Sequence, residues 1–291
     1  MNRILEATKY LKRVVTSKNR ILPSFLIIGS VRSGTTSLYG YLTSHPNILS
    51  SSKKETVFFN YAYNDNSNWY RMYFPTKNKK EETEKNSKKS SYNWEATPTY
   101  LIDPRVPKWI SSLLPDVKLI IMLRNPIDEA LSHYHLNVLQ GIEKLSFEQA
   151  IKNESTRIKS FFENLDDQTF QNENSISYFA WMMSYKSENY FKFSYLHSGY
   201  YHSHLKNWLD VFPKKQLLII KSEDFFENPK TIFAKVQKFL ELPEIELQKY
   251  WQAFEIKYPP LRENTRKSLQ KYFEPHNFKL YELLNTDFQW N

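Results

Sequence analysis

Three runs of uninterrupted apolar residues constrain this chain more than any other feature. They are Phe25-Leu26-Ile27-Ile28, Leu119-Ile120-Ile121-Met122-Leu123 and Leu217-Leu218-Ile219-Ile220. Each has strand length and none alternates with polar residues, so each predicts a strand covered on both faces, as in a parallel sheet. Helical periodicity fills the intervals. One helix opens near Gly34, a second follows Pro126 and a third covers 199–211. A fourth begins at Pro229, with Ile232, Val236, Phe239 and Leu240 at i, i+4, i+7 and i+8. Strands alternating with helices predict an α/β fold: a central parallel β-sheet, flanked by helices, with right-handed crossovers.

The 291 residues, 41% hydrophobic and 16% aromatic, are enough to fill a core and exclude a disordered chain. No linker is long enough to separate two domains. Residues 1–23 read as a basic helical extension carrying Arg3, Lys9, Lys12, Arg13, Lys18 and Arg20, and residues 24–291 as one domain. In the extension Ile4, Leu5, Leu11, Val14 and Val15 are interspersed with charge, so no signal-peptide core forms. No run of about 18 apolar residues spans a membrane. A soluble, cytoplasmic protein is expected, with the extension lying on its own surface; contact with a membrane surface is the second reading. Residues 77–91 (KNKKEETEKNSKKSS) lack large apolar side chains and predict a solvated loop. Residues 153–189, with the Tyr178-Phe179-Ala180-Trp181-Met182-Met183 cluster, predict helices flanking a cleft.

Forty basic against 31 acidic residues give a net charge of +9, which favours an anionic partner. Nucleic acid, a phosphorylated ligand, an acidic polysaccharide and a membrane surface all meet that condition. The absence of cysteine excludes disulfides, thiolate metal sites and cysteine nucleophiles. The seven histidines show no zinc-ligand spacing, so no metal site is expected.

The first apolar run leads into Gly29-Ser30-Val31-Arg32-Ser33-Gly34-Thr35-Thr36-Ser37-Leu38. Strand, glycine-bounded turn and helix together aim backbone N–H groups and a helix N-terminus at an anion. The hydroxyls of Ser33, Thr35, Thr36 and Ser37 can add donors. Gly29 and Gly34 have the spacing of the nucleotide P-loop, G-x-x-x-x-G-K-[ST], and Thr36 fills its last position, but Thr35 stands where the lysine belongs. That lysine bridges β- and γ-phosphates, so its loss points to a donor without a γ-phosphate. The loop's cation is Arg32. The second apolar run ends in Arg124, where a P-loop kinase usually places a magnesium-organising aspartate. Asn125 can cap the next helix, Pro126 suits its first turn, and Ser132 follows about two turns along. Arg124 and Ser132 form a second anion clamp in this reading; pairing of Arg124 with a surface carboxylate such as Asp128 is its alternative. Two anion sites fit a nucleotide with separate 5′ and 3′ phosphates.

These residues resemble the sulfotransferases that use 3′-phosphoadenylyl sulfate (PAPS). FLIIGSVRSGTTSL, from Phe25 to Leu38, resembles their 5′-phosphosulfate loop. KLIIMLRNPIDEALSHY, from Lys118 to Tyr134, resembles their 3′-phosphate strand and helix. Further matches follow in order: Lys54 to Phe59, Glu95 to Tyr100, Gly199 to Trp208, Lys257 to Pro260, and Asp287 to Trp290. The resemblance covers roughly residues 24 to 290 and is closest to the heparan sulfate N- and 3-O-sulfotransferase branch. It implies a P-loop-like α/β domain that moves a sulfuryl group from PAPS to a hydroxyl or amine of a carbohydrate or other acceptor, small or polymeric. The product nucleotide is 3′,5′-adenosine bisphosphate.

The resemblance also implies roles. Arg32, Ser33, Gly34, Thr35, Thr36, Ser37, Arg124, Ser132, Lys257 and Tyr258 would hold the donor. Glu55 would be the general base, and Arg32 would stabilise charge on the departing phosphate. Lys54, Tyr200, Tyr201 and His204 would meet the acceptor, with His204 either a second base or a packing residue. Where that branch has a Lys-Gly-Arg run, this chain has Phe254-Glu255-Ile256, leaving Lys257 as the cation. Trp94, Trp208 and the stretch from Tyr190 to Tyr195 read as core. Three rivals stand beside this reading. A nucleotide kinase is opposed by Thr35 and Arg124. A nucleic-acid-binding module is opposed by Glu81, Glu82 and Glu84 within the lysine run, so no nucleic-acid partner is expected. The third is a catalytically inactive nucleotide-binding scaffold.

Overall fold

The computed structural model describes residues 8, 11–61, 67–163, 185–253 and 256–290. The first apolar run is β1 (Phe25–Gly29), followed by helix α1 (Thr35–Thr43). Next come β2 (Ile48–Ser50), α2 (Lys77–Ser87), β3 (Tyr92–Ala96) and α3 (Val106–Leu113). The second run is β4 (Lys118–Leu123), which leads into α4 (Pro126–Leu139). Helix α5 (Tyr201–Leu209) precedes β5 (Leu217–Lys221), the third run, and α6 (Pro229–Leu240) and α7 (Glu263–Leu284) complete the series. The strands form one sheet in the order β2-β3-β1-β4-β5, and every neighbouring pair is parallel.

Burial on both faces explains why the apolar runs do not alternate. Leu26 and Ile28 of β1, with Leu119, Ile121 and Leu123 of β4, face a cluster that includes Tyr201, Leu205 and Trp208. Phe25, Ile27, Ile120 and Met122 face the other layer, with Leu38, Tyr41, Phe233 and Val236. Each such side chain contributes about 1.5–3 kcal/mol through removal from water. At the sheet edge β5 keeps Leu217 and Ile219 only half-buried. Trp94, Trp208, Tyr190 and Tyr195 are all fully buried, the packing role expected of them.

Strand β3 (YNWEA) shows no apolar run because two of its buried positions are polar. Asn93 donates to the carbonyls of Ile21 (3.1 Å) and Leu22 (2.7 Å), which ties the chain entering β1 to the sheet. Arg20 forms an antiparallel bridge with Thr76, and Arg71 donates to the Arg20 carbonyl at 2.9 Å. The lysine-rich stretch read as a loop is mostly helix α2. Its Thr76 side chain accepts the Lys79 N–H, and Lys79–Glu82 (3.0 Å) and Lys80–Glu84 (3.7 Å) pair along its surface. Lysine and glutamate are good helix formers, so an exposed helix needs no apolar face when a cap and charge pairs support it. Within 153–189, residues Glu154–Glu163 and Tyr185–Phe193 are helical. The Tyr178 to Met183 cluster lies outside the described residues. Among those residues, no helix is long and apolar enough to cross a membrane.

Candidate active site

Strand β1 stops at a register irregularity between Ile27 and Gly29, and the loop 30–34 begins there. A Cβ on Gly29 would lie 2.5 Å from the Leu101 Cβ, so only glycine lets the chain pass. Gly34, at φ 92°, turns the chain into α1, and Arg32 takes a left-handed φ of 60°. The Ser30 N–H donates to the Met122 carbonyl at 2.6 Å, and the Ser222 hydroxyl donates to the Ser33 carbonyl at 2.7 Å. The loop is thereby fastened to both β4 and the end of β5.

Arg32 donates through Nε to Ser132 Oγ at 3.0 Å, and Arg124 donates to the Arg32 carbonyl at 3.1 Å. Arg32, Arg124 and Ser132 therefore meet where the two motifs adjoin, although Arg32 stands 92 residues from Arg124 and 100 from Ser132 in sequence. Asn125 caps α4 by accepting the Ile127 N–H at 3.0 Å, with Pro126 in the first turn. Asp128 is engaged elsewhere, with Arg266 at 2.8 Å. Burial and the nearby Arg124 both lower the Arg32 pKa, since two guanidiniums repel when brought together. An anion between them relieves that repulsion.

The cleft in front of these cations is lined by Arg32, Gly34, Thr35, Thr36, Arg124 and Ser132. Phe226, Gln252, Ala253, Ile256 and Tyr258 complete its walls. Ser33, Thr35 and Ser37 are buried in the loop and first helical turn. Ser37 Oγ accepts the Ala253 N–H at 2.8 Å, so it holds the far wall rather than facing open space. Tyr258 stacks on His135 (4.3 Å, 9°). Ile256 takes a place on the cleft wall, residues 254–255 lie outside the described residues, and exposed Lys257 is not among the lining residues.

Lys54 Nζ donates to Thr36 Oγ1 at 3.1 Å and to Glu55 Oε1 at 2.7 Å. The Glu55 side chain is 46% exposed, so its carboxylate is open to a ligand as well as to Lys54. Glu55 sits at φ 60°, and its N–H donates to the Ala96 carbonyl at 3.0 Å. What holds this segment is Glu95, to which sequence reasoning assigned no role. Its fully buried carboxylate accepts from Tyr70 (2.7 Å), Tyr100 (3.0 Å), Thr97 (2.9 Å) and the Thr56 hydroxyl (2.7 Å) and N–H (3.2 Å). Burial raises its pKa against those hydrogen bonds. A glutamate inside a strand between aromatic and threonine residues was the available signal.

Tyr200, Tyr201 and His204 are not among the cleft's lining residues. Tyr201 is buried behind the loop, donating to the Arg124 carbonyl at 2.9 Å and contacting Glu129. His204 is buried with Nε2 on the His197 carbonyl at 2.8 Å, and burial lowers its pKa to about 4. Tyr200 stacks on His276 (4.3 Å) and lines a separate cavity of about 800 Å³ with Glu154, His197 and Tyr272.

An arginine-bearing loop at a helix N-terminus, met by a second arginine and serine, gathers donors and positive charge suited to an anion, and an accessible carboxylate lies near the first turn of that helix. A sulfotransferase-domain family model matches residues 22–277. The chain belongs to the sulfotransferase family. It is 29% identical to the membrane-associated sulfotransferase kil1 of Dictyostelium discoideum, over 95% of this chain and 68% of that protein. It is 30% identical to the human bifunctional heparan sulfate N-deacetylase/N-sulfotransferase 3, over 91% of this chain but 30% of that one. The mouse heparan sulfate glucosamine 3-O-sulfotransferase 3B1 is 25% identical, over 93% of this chain and 65% of its own length. A solved sulfotransferase from Alicyclobacillus acidocaldarius superposes with a TM-score of 0.66 at 24% identity, covering 93% of this chain and 99% of that one. The likeness supports the shared fold: a parallel sheet flanked by helices, with the loop at its end.

Proposed function

We propose that this sulfotransferase takes a sulfuryl group from PAPS and transfers it to a hydroxyl or amine of a carbohydrate or other acceptor, small or polymeric. The observation carrying this reading is the convergence of Arg32, Arg124 and Ser132 on one cleft, with Glu55 tied to its rim through Lys54 and Thr36. The loop N–H groups, Arg32 and Thr36 would hold the 5′ end of the donor, and Arg124 and Ser132 its 3′-phosphate. The donor supplies an activated sulfuryl group. Glu55 takes the acceptor's proton as the acceptor–sulfur bond forms and the sulfur–oxygen bond of the donor breaks. Arg32 and Lys54 stabilise the electron pair left on the phosphate. Preorganised donors of this kind are worth about 3–4 kcal/mol each in mutational tests. The donor assignment is tested by calorimetric titration with 3′,5′-adenosine bisphosphate, ADP and ATP without added metal. Preference for the bisphosphate is expected; preference for ATP, or a need for Mg²⁺, would return the site to a kinase.

A second proposal concerns location. The Dictyostelium relative is described as membrane-associated. In this chain Leu11 (62%), Val14 (42%) and Val15 (82%) are exposed beside Lys12, Arg13 and Lys18. Exposed aliphatic side chains among cations fit peripheral contact with an anionic lipid surface. Such a surface faces the cytoplasm, consistent with the cytoplasmic location expected from sequence. Co-sedimentation with phosphatidylserine vesicles, lost on changing Leu11 and Val15 to serine, is the expected result; equal binding to neutral vesicles would count against it.

A further inference from the structure

Glu129 of α4 lies beneath the phosphate loop and has no part in the transfer described above. It is fully buried, its Oε1 meets no partner, and its Oε2 faces the Tyr201 hydroxyl and Ser30 Oγ, the latter at 3.4 Å. Counting hydrogens shows what this arrangement needs. Tyr201 has one hydroxyl hydrogen but two oxygens in reach, Glu129 Oε2 and the Arg124 carbonyl at 2.9 Å. If Tyr201 satisfies the carbonyl, its contact with Glu129 requires a hydrogen from the carboxyl. Ser30 is shared in the same way, between Glu129 and Ser33 Oγ at 2.5 Å.

We propose that Glu129 carries a proton and donates it to Tyr201, bracing Arg124 and Ser30 around the phosphate loop, so that losing this proton loosens the grip on the donor's phosphates. The proposal rests on the donor reading given above. Ionisation would turn the Tyr201 hydroxyl towards the carboxylate and away from the Arg124 carbonyl. It would also place a negative charge beside the cations that receive the anion. The groups facing Glu129 are Arg124 at the end of β4, Tyr201 on α5, Ser198 in the preceding turn and Ser30 in the loop. One turn further along α4, His133 is buried with Nδ1 unpartnered and lies near Arg32. Burial raises the Glu129 pKa to about 7, against the opposing influence of the nearby Tyr201, Ser198 and Ser30 hydroxyls and the charge of Arg124. By linkage, an anionic ligand that favours the protonated carboxyl must draw a proton from solution when it binds above that pH.

The test is calorimetric titration of the whole protein with 3′,5′-adenosine bisphosphate from about pH 6.5 to 8.5, in buffers of different ionisation heat. Wild-type affinity is expected to fall by up to about tenfold per pH unit above 7, with proton uptake at pH 8. Glu129→Gln keeps a hydrogen donor but cannot ionise, so it should lose that pH dependence and bind more tightly than wild type at pH 8. A Gln variant weaker than wild type at every pH, with unchanged proton uptake, would overturn the proposal. If that variant does not fold, the wild type alone decides, because absence of proton uptake at pH 8 also overturns it. A bisphosphate that binds at no pH sinks the donor reading and this inference together, whereas one that binds without these pH effects sinks only the inference.

Discussion

At the scale of single residues, the candidate site depends on charges that meet only after folding. Glu55 is held by an ion pair with Lys54 at 2.7 Å, and Lys54 also reaches Thr36. In the proposed mechanism, a donor phosphate that drew Lys54 away would free the Glu55 carboxylate to take the acceptor's proton, coupling donor arrival to base activation. Glu55→Gln is therefore expected to reduce turnover by at least about a hundredfold, the usual scale for losing a general base. Its bisphosphate affinity should stay within about threefold, because the residue does not line the anion cleft. Steady-state rates with labelled PAPS, beside the titration, check both halves; retained turnover would remove Glu55 from the mechanism. His204 is not a residue on which to expect such an effect, since its Nε2 is occupied by the His197 carbonyl.

At the scale of elements, local capping explains what apolar patterning missed. Helix α2 buries no side chain, and its first turn is closed by the Thr76 hydroxyl accepting the Lys79 N–H at 3.3 Å. Thr76→Ala should cost that helix about 1 kcal/mol, or roughly a fivefold loss of hydrogen-exchange protection over 79–87, with the sheet unaffected. Unchanged exchange would mean that the cap contributes nothing to the helix. Strand β3 was hidden for the opposite reason. Its Asn93 and Glu95 are buried but fully engaged by neighbours distant in sequence, and a polar residue whose partners are unknown looks like a surface residue. Helix α7 was unread as well. It buries Leu269, Phe273, Asn277 and Leu280 along one face, but Pro275 and many charges interrupt the pattern.

At the scale of the whole molecule, buried titratable groups set the response to acid. Burial lowers His133 and His204 to about 4 and His197 to about 3, from an ordinary 6.5, so all three are neutral in the folded state. Their stabilising contribution is complete above pH 6.5 and is lost as pH falls towards those values. Glu129 and Glu154 act in the other direction. Burial raises each to about 7, so folding is favoured below the ordinary 4.5 and that advantage is lost as pH rises through 7. For Glu143, burial pushes upward, but Arg157, Tyr195 and two backbone N–H groups outweigh it and hold the pKa at about 2. Its contribution is present above 4.5 and lost as pH falls through 2. Three histidines against two raised glutamates leave a net difference of about one proton between roughly pH 4.5 and 6.5, so on acidification the urea midpoint should fall gently there and steeply below 4.5. A midpoint already falling steeply at pH 6 would show that the two glutamates are ionised in the folded protein.

Continuous apolar runs and a glycine-bounded, hydroxyl-rich turn are local properties, and they sufficed to place β1, β4, β5, the loop that follows β1 and the two arginines, Arg32 and Arg124, that meet there. Burial on both faces of a parallel strand leaves little room for polar residues, so the sequence carries that imprint directly. Tertiary structure decided everything that depends on a distant partner. It sent Tyr201 behind the loop and His204 onto the His197 carbonyl, brought Lys54 onto Thr36, and turned the acidic Glu95 and Glu129 into buried struts. A buried polar group is stable only when the fold supplies its hydrogen-bond partners. The decisive partners are remote in sequence, 18 residues for Lys54 and Thr36, 39 for Glu95 and Thr56 and 72 for Glu129 and Tyr201, where no local pattern can show them.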